Sequence, residues 1–82
     1  MVADYLAKAL LSAVAMLEDA ANVGMDPHMA LNALEDISNE LNQMGAPERR
    51  ELAEILDRIA ASADPAQREW IRAVPQNIGL DA

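Results

Sequence analysis

Cysteine and phenylalanine are both missing from this 82-residue chain, and base is scarce, with six lysines and arginines against 14 aspartates and glutamates. The lack of cysteine excludes disulfides, thiolate zinc sites and thiol catalysis. With no Phe, one Trp and one Tyr, any core must be built from aliphatic side chains. The shortage of base leaves a formal charge of −8 and argues against direct nucleic-acid binding, because phosphate contacts need basic patches. Long apolar runs are lacking too. No window reaches the ~18 uninterrupted apolar residues of a membrane span, and Asp4 and Lys8 interrupt the apolar N-terminal stretch, which makes it a poor signal peptide. A soluble cytoplasmic protein is the expectation.

What is present is alanine. The apolar fraction is 52%, but 17 of those residues are Ala, which raises helix propensity and buries little surface. A single domain over 1–82 is near the lower limit for folding without a staple or a partner. Self-association is one way to cover the shortfall.

Helix punctuation recurs at Asp26-Pro27, Gly45-Ala46-Pro47 and Asp64-Pro65, where acidic caps, Gly stops and Pro starts belong. The pattern predicts an all-α fold: a small bundle of three main antiparallel helices at about 3–22, 27–44 and 47–63, plus a short fourth at 65–74 stopped by Pro75. In the first helix Leu6, Leu10, Ala13 and Leu17 recur at helical steps, with Leu11 and Val14 on an adjoining stripe. In the second, Ala30, Leu34, Ile37, Leu41 and Met44 form a heptad-like seam, so Leu34→Ala or Ile37→Ala is expected to cost ~2–5 kcal/mol if that seam is core. The third presents Leu52, Ile55, Leu56 and Ile59, with a charge ladder of Arg50, Glu54 and Arg58 outside. Asp64 and Gln67 are spaced as a capping box. Trp70, Ile71 and Val74 are expected in the core, Ile78 and Leu80 to tuck back onto it, and Met16, Met25, Met29 and Met44 to fill gaps.

Chemistry is harder to find. His28 is the only histidine and has neither a second His nor a Glu-x-x-His motif beside it, so it reads as an exposed residue near a helix start. In Glu18-Asp19 and Glu35-Asp36 the side chains diverge by about 100° around a helix and do not converge on a substrate. Glu18, Asp19 and Asp26 fall close enough to form a local acidic patch, but a calcium site needs a denser ligand loop. No catalytic residue, metal or cofactor is expected. The run Leu34-Glu35-Asp36-Ile37-Ser38 resembles the attachment segment of acyl carrier proteins, which are acidic four-helix domains of this size. That resemblance implies a carrier role for Ser38, although Ile37 separates Asp36 from the serine, Asn39 stands in place of the following leucine, and Ser38 falls in the middle of a helix.

The reading these features support is a noncatalytic, acidic protein-interaction domain, an inhibitor, immunity-type or adaptor protein, whose partner is a basic protein. It is similar in size and helical class to bacterial immunity proteins. The expected contact residues are Glu18, Asp19, Glu35, Asp36 and Glu40, on the outer face of the first two helices. Neither a small-molecule substrate nor a membrane is expected as partner. The alternative is a self-assembling homo-oligomer, a homodimer joined through the apolar stripe of the first helix or the seam of the second.

Overall fold

Each Asp-Pro or Gly-Ala-Pro break in the sequence starts a helix. A computed structural model describes residues 2–80; Met1, Asp81 and Ala82 of the expected 1–82 domain lie outside them. Its four helices are α1 (Val2–Glu18), α2 (Pro27–Leu41), α3 (Ala46–Ser62) and α4 (Pro65–Asn77), with no strand among the described residues. None of the helices is long and apolar enough to cross a membrane.

The helix starts follow local chemistry. Asp26 caps α2, its Oδ1 accepting from the backbone N–H of His28 at 2.8 Å, and Pro27 occupies the first turn, where no N–H is needed. At α3 the return half of a capping box forms, with Glu48 Oε1 accepting from the Gly45 N–H at 2.9 Å. The box expected at Asp64–Gln67 does not form: the Asp64 side chain makes no cap bond, and its backbone carbonyl accepts from Gln67 N instead.

Two arginines complete the turns. Arg49, in the first turn of α3, donates from Nε to the Met44 carbonyl at 3.0 Å and from Nη2 to the Asn42 carbonyl at 3.0 Å. Arg68, in the first turn of α4, donates from Nε to the Ala63 carbonyl at 3.2 Å. Each arginine therefore brings positive charge and a donor to the carbonyl end of the preceding helix, the end that favours both.

Helix ends depart from expectation in three places, one of them α2, which stops at Leu41 and passes into a turn rather than running to 44. The chain after Glu18 continues as turns as far as Gly24, which takes φ +76, rather than as helix to 22. Conversely, Pro75 does not stop α4, which runs on to Asn77. Ile71, Val74 and Ile78 are spaced three and four apart and all buried. Continuing the helix is what places Ile78 on that face, and this burial offsets the hydrogen bond that Pro75 cannot donate. The helix then closes in a Schellman motif, with Leu80 N to the Pro75 carbonyl at 2.8 Å, Gly79 N to the Gln76 carbonyl at 3.1 Å and Gly79 at φ +85. As expected, Ile78 and Leu80 fold onto the core.

That core joins Ala7, Leu11 and Val14 of α1 to Ile55, Leu56, Ile59 and Ala60 of α3, Ile71 and Val74 of α4, and the tail. α3 and α4 share the most extensive contact, α1 packs on α3 and α2, and α2 rests mainly on α1. Only Ala30 of α2 is fully buried; Leu34, Ile37 and Leu41 are partly covered. The α2 seam faces inward but forms the margin of the core.

Helix α1 is turned away from its expected face. The stripe Ala7, Leu11, Val14 points inward, and Leu6 is 66% exposed. α1 is apolar around most of its circumference, so periodicity permits several inward faces, and packing on α3 selects the one containing the small Ala7. Two methionines also differ from expectation. Met16 and Met29 fill no gap; both are exposed, Met29 to 65%.

Candidate interaction surface on the second helix

Polar side chains tie the helices together around the core. Arg58 of α3 meets Asp4 of α1, with Nη2 and Oδ1 2.8 Å apart, in place of a ladder with Glu54. The hydrogen bond to that guanidinium holds the Asp4 carboxyl below its usual range, helped by the charge of Arg58. Arg72 of α4 pairs with Asp57 of α3 at 3.0 Å. Trp70, half-buried against the core, donates from Nε1 to Glu18 Oε1 at 2.9 Å and so joins α4 to the end of α1.

The five expected contact carboxylates are all exposed, but they do not form one patch. Glu18 is engaged by Trp70. Asp19 lies in the turn after α1, its Oδ1 accepting from Asn22 Nδ2 at 2.6 Å. Glu18 and Glu35 do come together: both line a groove of about 330 Å³ between α2 and the α4 cap, along with Leu31, Leu34, Asn77 and Ile78. Asp36 and Glu40, one helical turn apart on α2, fall about 100° and about 140° around the helix from Glu35.

α2 itself has an unusual charge balance. Glu35, Asp36 and Glu40 are its charged residues, and it holds no Lys or Arg. Among the described residues the two ion pairs use Asp4 and Asp57 and leave these three carboxylates facing water. Basic residues lie instead on α1, α3 and α4.

Ser38 occupies the middle of α2, half-buried, with its Oγ accepting from Asn42 Nδ2 at 3.2 Å. The α4 cap lies directly over it, since a Cβ on Gly79 would stand 3.4 Å from that oxygen. His28 is exposed, as expected. Among the described residues no group of three or more His, Asp or Glu is placed to hold a metal ion.

A second groove, of about 620 Å³, runs between α1, α3 and α4 over Leu11, Ile59 and Ile71, with Trp70 as one wall and Lys8 and Glu18 at its rim. It was not apparent from the sequence, because its lining comes from three helices. The chain matches no known protein family, no curated protein and no solved structure.

Proposed function

We propose that this protein is a noncatalytic, acidic interaction domain, an inhibitor or adaptor of the immunity type, that captures a basic protein through α2. The observation that carries the reading is the make-up of that helix. Three carboxylates stand in water outside the two ion pairs found among the described residues, on a helix without Lys or Arg that contributes least to the core. Such a face accelerates encounter with a positive partner and repels acidic ones. The groove bounded by Glu18 and Glu35 adds an apolar floor, with Leu31 54% exposed beside it, into which an aliphatic or aromatic anchor flanked by base would fit. In this reading α1 and α2 form an antiparallel hairpin, and the setting is cytoplasmic. The acyl-carrier alternative gains nothing from Ser38, whose hydroxyl is hydrogen-bonded under the α4 cap.

The test is a native-lysate pull-down comparing wild type with Glu35→Gln/Asp36→Asn/Glu40→Gln, eluted by a salt step. A basic protein retained by wild type, released by salt and lost from the variant is the expected outcome. Equal recovery on both baits at low salt would remove the charge-steered reading.

A further inference from the structure

Turning Ala7, Leu11 and Val14 inward leaves a second apolar seam of α1 on the outside. Val2, Leu6, Ala9, Ala13 and Met16 follow each other at steps of four, three, four and three, with Tyr5 beside Leu6; all but the half-buried Ala13 are exposed, Val2 to 74%, Tyr5 to 71% and Met16 to 50%. This is the repeat of a two-helix coiled-coil interface. Asp4, Lys8 and Glu18 are the charged residues of α1, and none falls on the seam. Asp4 is neutralised by Arg58, and Lys8 lies 5.5 Å from the Tyr5 ring centroid.

We propose that this seam is the interface of a homodimer in which α1 packs antiparallel against α1 of a second copy, about a twofold axis near Ala9. Three observations select a second copy. First, reversal about Ala9 brings largely apolar or small residues together: Val2 faces Met16, Tyr5 faces the small Ala13, Leu6 faces the small Ser12 that borders the seam, and Ala9 faces itself, so the axes approach closely at the centre. Second, the seam lacks the charge that a basic partner would seek, whereas two copies meeting here place no carboxylate against another within the seam. Third, the molecule exposes 5643 Å², against about 4,800 Å² for a monomer of its 8.9 kDa. That excess of about 800 Å² belongs to the whole molecule, and of the seven large apolar side chains exposed among the described residues four, Val2, Tyr5, Leu6 and Met16, lie on or beside this seam. The proposal is independent of the acidic face on α2.

Sedimentation equilibrium of the full chain, from about 1 to 500 μM, tests it alongside Leu6→Lys and Ala9→Cys. Leu6 touches solvent in the monomer, so the helical circular dichroism of Leu6→Lys should match wild type while its dimer dissociation constant rises about tenfold or more. Because the chain has no other cysteine, Ala9→Cys should form a dimer disulfide in air across the axis, and Glu40→Cys should not. A wild-type mass of one chain at every concentration would overturn the proposal and leave the seam to a different protein. A dimer that persists in Leu6→Lys, or that is cross-linked by Glu40→Cys in preference to Ala9→Cys, would also overturn it.

Discussion

At the scale of single residues, the side chains that matter most join positions far apart in the chain. Asp4 and Arg58 are 54 residues apart and Glu18 and Trp70 are 52 apart; no local pattern marks either pair. Glu18 reads from sequence as a partner-binding carboxylate on the outer face of the first two helices, and its neighbour across the fold becomes visible only once α4 is docked. Asp26 is the opposite case. Its capping bond is to a residue two positions on, so the sequence alone was sufficient to place it. The Asp4–Arg58 pair also makes stability depend on pH in a defined direction. Since the folded carboxyl is held below its ordinary value, its contribution is complete above the unfolded aspartate value of about 3.9 and is lost as pH falls through the lower folded value. Asp4→Asn should therefore melt at a lower temperature than wild type near pH 6, and the two melting curves should converge below pH 4. Equal melting temperatures at pH 6 would show that the pair adds nothing in water.

At the scale of elements, starts were more legible than ends or faces. A helix start is written in two or three adjacent residues, as at Asp26-Pro27 and Asp64-Pro65. An end depends on what further burial is available: α4 passes Pro75 because Ile78 has a place in the core, whereas α1 relaxes into turns after Glu18. The inward face of α1 was ambiguous because almost every stripe is apolar. The two arginines that cap the preceding helices share a signal, an Arg five residues after the accepting carbonyl in both Met44–Arg49 and Ala63–Arg68, but a spacing seen twice is evident only after the bonds are known. Core and margin should separate on mutation. Ile71 is 3% exposed, so Ile71→Ala should cost ~2–5 kcal/mol, while the half-covered Ile37 should cost less than about 2 kcal/mol on alanine substitution. Urea denaturation followed by circular dichroism measures both, and a loss at Ile37 as large as that at Ile71 would place α2 in the core after all.

At the scale of the whole molecule, charge and dimensions are closely matched. The fold measures 34 × 30 × 21 Å, and the Debye length is about 30 Å at 0.01 M salt but about 8 Å at 0.15 M. In dilute buffer most of the carboxylates behind the −8 charge therefore feel one another across the protein, and at physiological salt only near neighbours do. Their mutual repulsion opposes the compact state. Calorimetry at one fixed protein concentration should show the melting temperature rising by several degrees between 0.01 and 0.15 M NaCl, at about 4–8 °C per kcal/mol for a domain of this size. The rise should be smaller in the variant neutralised at Glu35, Asp36 and Glu40. A melting temperature that falls with salt would mean that the cross-helix ion pairs outweigh the repulsion.

The bond from Trp70 to Glu18 has an optical consequence. Trp70 is the chain's only tryptophan, and its indole N–H is attached to the end of α1 while its ring lies against the core. Its emission therefore reports chiefly whether α1 and α4, which its side chain joins, are docked, and α2 has no aromatic residue to add to the signal. Far-ultraviolet ellipticity, in contrast, counts all four helices. If α2 detaches first, ellipticity will decline while the fluorescence holds steady, and the distance between the two curves will measure how far the peripheral helix melts independently of the other three.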